Sequence, residues 1–457
     1  MTSSNGGRTR RDLVPLREAA LAWFQVSLQS FGGPAGQIAV MHRELVDERR
    51  WVGERRFLHA LSYCTLLPGP EAQQLAIYLG WLLNGTLGGL IAGSLFVLPG
   101  YVAIMGLSVL YAGWGDTQLV GALFAGVAPA VLAIVAQAVV RISRRALRER
   151  VHVALAIGAF LALAAFAVPF PVVVAGAGTL GGLLLRQREG PADHVGGDDR
   201  PGDRSDPLIR DADLHEEGRS PGRALRIIGI GLLVWIVPLL ALGLALGADH
   251  VFVEQGRFFS GAALVTFGGA YAVLTYVAQQ AVEVHGWLAP GEMVTGLAMA
   301  ESTPGPLIQV VQFVGFLGAY RDPGSLSPWL AGALGATLVT WVTYVPCFLF
   351  IFVGAPHVEA LRHNRRIAAV LTGITTAVVG VIANLGLYLA IHTLFSRTDD
   401  VRFGPLHLEV PDVSTIEARP VLVAGLAVLL LFRFRWSVLK TLAACVLVGG
   451  TIHLLGR

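Results

Sequence analysis

Two acids and four amides stand beside two copies of one tripeptide. In the first copy Glu71, Gln73 and Gln74 follow Pro68-Gly69-Pro70; in the second, Glu301 precedes Pro304-Gly305-Pro306, and Gln309 and Gln312 follow it. A carboxylate takes up and releases a proton, and a carboxamide donates hydrogen bonds to an anionic oxygen. Proline lacks an N–H and glycine accepts nearly any backbone angle, so neither tripeptide belongs inside a continuous helix. Pro70 suits the first turn of a new helix, which leaves the N–H groups of Glu71, Ala72 and Gln73 as orphan donors at its positive end. Such an end accommodates anions. The remaining reactive residues carry less. Cys64, Cys347 and Cys445 lie far apart without CxxC spacing and read as buried, inert thiols, while His42, His59, His285 and His357 lack ligand spacing. No metal and no cofactor is expected. Without a nucleotide-binding or hydrolase motif the chain is not expected to be an enzyme, and any transport would be driven by an ion gradient or the membrane potential.

These residues must be positioned by membrane elements. The chain is 54% hydrophobic and 14% charged with a mean hydropathy of +0.63, values that make it a polytopic, all-α membrane protein. Its N-terminal stretch is polar and Arg-bearing, with no removable signal peptide expected. A net charge of +3 gives no indication of nucleic acid as a partner; the lipid bilayer is the implied one. Apolar runs alternate with polar links, several interrupted by breaks such as Phe31-Gly32-Gly33-Pro34. Residues 187–222, rich in Asp, Arg, Gly and Pro, read as a flexible cytoplasmic linker between domains at 1–186 and 223–457. An additional apolar run, Ile227 to Ala248, opens the second domain.

The domains are copies of one another. Phe31-Gly32-Gly33 matches Phe267-Gly268-Gly269, Trp51 matches Trp287, the Pro-Gly-Pro tripeptides match, and Gln73 matches Gln309, every pair at one and the same offset along the chain. Gly85, Gly88 and Pro99 then match Gly332, Gly335 and Pro346 at a second, slightly longer offset. A register held over so many positions is an internal duplication. Charge orients it: residues 42–56 carry five arginines, whereas their counterparts 278–292 carry no Lys or Arg. Between later spans the bias reverses, with Arg362, Arg365 and Arg366 in the second half against none in Gly113 to Thr117. By the positive-inside rule the halves face opposite ways, giving an inverted repeat with a cytoplasmic N-terminus and a periplasmic C-terminus.

Inverted repeats bring broken helices together near the bilayer midplane, and there they form binding sites. The Pro-Gly-Pro pair is read this way, against two plain packing kinks. The Phe-Gly-Gly pair divides evenly between site lining and close helix packing. Glu71 and Glu301 are candidate proton-coupling acids, since a carboxylate at membrane depth must be paired, protonated or facing a cavity; helix capping or pairing is the alternative. Gln73, Gln74, Gln309 and Gln312 are candidate anion ligands, against buried amides satisfied by the fold. The arginines between Arg141 and Arg150 read as topology signals, with steering of anions as a lesser role.

Phe31-Gly32-Gly33-Pro34 with Pro68-Gly69-Pro70, and Phe267-Gly268-Gly269 with Pro304-Gly305-Pro306, resemble the chromate transporter family in its long, two-domain form. The resemblance covers nearly the whole chain outside the linker and termini. It implies roughly thirteen membrane segments, broken or re-entrant helices among them, and oppositely oriented halves in a bacterial inner membrane. It also implies export of chromate, conferring resistance, as an antiporter or otherwise through the proton or membrane-potential gradient. Sulfate, a tetrahedral dianion of similar shape, is an alternative substrate, including for uptake, and a passive oxyanion channel is the alternative mechanism. Protons are expected as partners, and a homodimer is left open. Ala270 stands where the first half has Pro34, so the second break is expected to be softer.

Overall fold

The computed structural model describes residues 13–31, 33–115, 117–185, 208–209, 221–267, 270–289, 291–355 and 365–455. In the first half, α1 is Leu16–Gln29, and α2 is Gly33–His42, continued by a π-helical segment at Arg43–Glu48. They are followed by α3 at Glu54–Cys64, α4 at Glu71–Trp114, α5 at Gln118–Ala146, α6 at Arg150–Ala164 and α7 at Phe170–Leu184. Then α8, Pro221–Leu246, introduces the second half. There α9 is Val251–Val265, and α10 is Ala270–Gln279 with a π-helical end at Gln280–Val284. The second half continues with α11 at Glu292–Ser302, a 3-10 turn at Leu307–Gln309 leading into α12 at Val310–Arg321, α13 at Pro328–Gly354 and α14 at Arg365–Leu394. A hairpin of β1 (Thr398–Phe403) and β2 (Leu406–Pro411) separates α14 from α15, Ala418–Val428, and α16, Val438–Leu455.

Helices suit a chain this apolar, because each satisfies its own backbone hydrogen bonds where water cannot. Among the described residues, six helices are long and apolar enough to cross a membrane, and the protein is multi-pass. The most exposed is α8, where Leu225, Leu233, Leu240 and Leu244 all face outward.

The duplicated register is also a duplicated order of elements. Both α2 and α10 widen into π-helix before a tryptophan, and α14 follows α5 at the longer of the two offsets. The change from the shorter offset to the longer one has a structural cause. Asn84 and Gly85 leave helical geometry, and the chain folds back within α4: a Cβ on Gly80 would lie 2.5 Å from the Cβ of Ala92. The second half makes the same reversal with the longer link between α12 and α13. The β-hairpin is a further insertion, so the offset lengthens once more between α6 and α15.

The halves exchange their last helices. α5 packs against α15 and α16, while α14 packs against α6 and α7. Glycines at matched positions set both crossings: a Cβ on Gly449 would come within 2.5 Å of Gly126 Cα, and one on Gly181 within 2.6 Å of Gly373 Cα. Missing side chains let helices approach this closely in a membrane. The linker is tied down at one described point. Ile209 is buried, bridges in parallel with Val52, donates its N–H to Trp51 and accepts from Gly53.

Candidate functional site

Each Pro-Gly-Pro is bound to the Phe-Gly-Gly break of the opposite half. The Gly69 N–H donates to the carbonyl of Thr266 at 2.7 Å, and the Gly305 N–H donates to the carbonyl of Ser30 at 3.0 Å. Ser30 and Thr266 are themselves matched, each standing just before the phenylalanine of its motif. Both hydroxyls turn back to a carbonyl four residues earlier, Val26 and Ala262, at 2.6 Å. The four breaks are therefore joined as two reciprocal pairs across the halves. Gly69 has φ +120° and Gly305 φ +105°, angles that strain any residue with a side chain. A third matched pair backs them. Gly100 of α4 lies against Pro304 and Gly305, and Cys347 of α13 lies against Gly69. Cys64, Cys347 and Cys445 are free, buried thiols.

Helix α4 begins at Glu71, with Pro70 as its N-cap and no side chain capping it; Pro306 occupies the same place before Leu307 and is likewise uncapped by a side chain. After α9 the described residues Thr266 and Phe267 are non-helical, and helix resumes at Ala270, the counterpart of Pro34.

The polar side chains differ between the copies. Gln73 is fully buried and neither atom of its amide has a hydrogen-bond partner. A buried polar group left in this way costs about 1–3 kcal/mol, so Gln73 is equipped for a partner beyond the protein chain. Gln74 donates to the Pro68 carbonyl at 2.6 Å, fastening the tripeptide to the helix that follows. In the second half the matched Gln309 already donates to Gln312 and, at 3.4 Å, to Thr340, leaving its oxygen unpartnered. Gln312 in turn donates to the Tyr101 carbonyl at 3.0 Å. Gln309 and Gln312 thus act first as a brace between halves.

The acids differ as well. Glu71 is half-buried on the first turn of α4, whereas Glu301 is buried near the end of α11. One oxygen of Glu301 accepts from the Tyr271 hydroxyl, and the other has no partner. Gly33 sits against that hydroxyl, where a Cβ would approach it to 3.3 Å, and Gln37 donates to the Gly305 carbonyl at 2.6 Å. Arg141 of α5 lies within electrostatic range of both Glu301 and Tyr271. Tyr271 and Gln37 escape a search for matched residues because Ala35 and Val273 hold the corresponding positions.

Phe31 is half-buried beside its break. Phe267 lines an apolar cleft of about 370 Å³ with Pro171, Val174, Val265 and Ile374. Gly32, Gly268 and Gly269 lie outside the described residues. Among the described residues, no group of three or more His, Cys, Asp or Glu is placed to hold a metal ion.

The profile of the family described as "Chromate transporter" matches residues 17–182 and 253–450, one block in each half. A chromate transport protein of Pseudomonas aeruginosa is 32% identical over 379 residues, covering 80% of this chain and 79% of the relative. A probable chromate transport protein of Synechococcus elongatus is 27% identical, with 83% and 86% covered, and a chromate transport protein of Cupriavidus metallidurans is 26% identical, with 85% and 86% covered. No solved structure matches the chain.

Proposed function

Because this chain belongs to the chromate transporter family, we propose that it carries chromate out of the cell across a bacterial inner membrane, holding the anion at the paired breaks. The observation that carries this proposal is Gln73: a buried amide with both ends unused, on the first turn of a helix whose N-terminus has no side-chain cap. The backbone N–H groups of Glu71, Ala72 and Gln73 supply donors at the positive end of α4, and the Gln73 amide adds another. The turn after Pro306, with Gln309, offers a second set.

The two halves form an inverted-topology repeat in this reading, with the N-terminus cytoplasmic and the C-terminus periplasmic. Arginine distribution and the reciprocal pairs Gly69–Thr266 and Gly305–Ser30 support it. Alternating access is then a rocking of one half against the other, in which the two hydrogen bonds weaken and reform in turn.

Glu301 is the coupling acid. An ionised carboxylate beside the site repels a dianion, so its protonation and chromate binding reinforce each other, and by linkage the effect is reciprocal. Proton and anion are therefore carried together through this residue, and outward transport draws on the membrane potential. With one proton carried per dianion a single net charge crosses, and the potential supplies about 2.3 kcal/mol per 100 mV. Tetrahedral shape alone admits sulfate, and the donors above recognise either dianion.

Chromate efflux into everted membrane vesicles tests the site. Gln73→Ala is expected to lower apparent affinity roughly tenfold to hundredfold, the range for one lost hydrogen bond to a charged group. Unchanged uptake by the Gln73→Ala, Gln309→Ala double variant rejects both residues as ligands.

A further inference from the structure

The loop before α3 and its counterpart before α11 share a backbone and are fastened by different means. In the first half Arg50 is left-handed at φ +53°, and the Val52 N–H donates to the Leu45 carbonyl at 3.2 Å. In the second half Gly286 is left-handed at φ +63°, and the Leu288 N–H donates to the Ala281 carbonyl at 3.1 Å. Each of these residues stands at the shorter offset from its counterpart. Both loops leave one carbonyl and one N–H to be satisfied from elsewhere, on Trp51 and Gly53 in one half and on Trp287 and Ala289 in the other.

In the second half two side chains satisfy them. Arg321 donates to the Trp287 carbonyl at 3.0 Å, the Ala289 N–H donates to the Glu292 carboxylate at 2.7 Å, and Arg321 and Glu292 pair with each other at 2.7 Å. The first half cannot copy this arrangement, because Arg56 stands where the second half has Glu292. There the linker supplies the partners. The Ile209 N–H donates to the Trp51 carbonyl at 3.0 Å, and the Gly53 N–H donates to the Ile209 carbonyl at 3.1 Å. A third bond, from the Leu208 N–H at 3.2 Å, falls on the carbonyl of the left-handed Arg50. Ile209 is 1% exposed and belongs to the buried cluster that holds Leu45, Trp51, Val52 and Phe57.

We infer that residues 50–53 are a strand-docking site and that Leu208-Ile209 of the linker is its built-in ligand, a strap that does for the first half what the Arg321–Glu292 pair does for the second. Main-chain hydrogen bonds give such a site its hold on an extended peptide, and the one buried side chain gives it selectivity. Its ligand is therefore an extended segment with a branched aliphatic residue at the place of Ile209. The strapped loop joins α2, which carries Gly33 and Gln37, to α3, which runs into Pro68-Gly69-Pro70. A side-chain-bearing residue stays left-handed only where its surroundings hold it there, and at Arg50 the strap is part of that hold.

The full-length protein in detergent tests the site with a fluorescein-labelled peptide of residues 205–213. Ile209→Asp is expected to empty the site and lower the thermal midpoint. It should bind the peptide about tenfold more tightly than the wild type, in which the tethered segment competes at high effective concentration. Bound peptide should restore the midpoint, and a peptide carrying Ile209→Asp should neither bind nor restore it. Val52→Cys with Ile209→Cys gives a reading that holds even where Ile209→Asp does not fold. Mild oxidation is expected to join the two within one chain, since residues opposed across a bridge lie within disulfide reach, and the joined protein should refuse the peptide. Equal peptide binding by wild type and Ile209→Asp, a midpoint indifferent to Ile209→Asp, or no disulfide overturns the inference. A disulfide formed between two chains assigns the strap to a second copy and overturns it as well.

Discussion

The two copies of the break share a backbone and differ in their side chains. Gly69 and Gly305 adopt the same left-handed conformation and make equivalent hydrogen bonds to the opposite half, and Gly100 and Cys347 occupy matched positions behind them. Yet Gln73 has no partner where Gln309 has two, and Glu301 is buried with Tyr271 where Thr65 stands in the first half. The duplication fixes the scaffold, and the divergence between copies distributes the chemistry. In the proposed reading the first break holds the anion and the second handles the proton.

Substitutions at matched positions should therefore fall into two groups: equal effects on the scaffold and unequal effects on the site. The largest losses are expected at the exchanged helices. Gly126→Val and Gly373→Val each drive a side chain into backbone of the partner helix, and both should abolish folded, monodisperse protein on size-exclusion chromatography. A pronounced difference between them breaks the symmetry of the scaffold. Next come Gly69→Ala and Gly305→Ala, each expected to cost about 1–3 kcal/mol from backbone angle alone, read as similar drops in thermal midpoint in detergent. In Gly69→Ala the new methyl also meets Cys347, so Cys347→Gly should relieve part of that loss and leave Gly305→Ala unimproved.

Unequal effects follow at the acids. Glu301→Gln should flatten the pH dependence of chromate transport, whereas Glu71→Gln should keep it, measured as initial rates in vesicles from mildly acidic to mildly alkaline pH. Binding should strengthen toward low pH in the wild type, because the protonated acid and the dianion favour one another. The smallest effect belongs to the hairpin, an insertion in the second half that the first half lacks. The hydrogen bond from His392 holds the Glu409 carboxyl below its ordinary range. That depressed value means its stabilisation is full above the ordinary carboxylate pKa and is lost as pH falls through the lowered one. Limited proteolysis of residues 398–411 should quicken only in that acid window, with Glu409→Gln showing the quickened rate at neutral pH.

The breaks were legible in the sequence because proline and glycine act locally, and the constant offset between the halves identified their counterparts. Their tertiary partners were not legible: nothing in Gly69 or Thr266 alone announces that one donates to the other. Gln37 and Tyr271 were missed for a related reason, since searching for what the halves share hides what only one half has. The hairpin carried a readable signal, alternation through Val401, Phe403, Leu406, Leu408 and Val410 about a Gly404-Pro405 turn, obscured by apolar sequence on either side. Ile209 shows the converse. A single apolar residue in a polar linker has no periodicity, yet it is buried against Val52.

Equilibrium binding of chromate to the purified protein, compared among wild type, Gln73→Ala and Gln309→Ala, tests the division of labour most directly. The unpartnered amide at Gln73 and the braced one at Gln309 predict a loss of roughly tenfold or more for the first and a clearly smaller loss for the second. Wild-type affinity in Gln73→Ala, or a greater loss in Gln309→Ala, contradicts it.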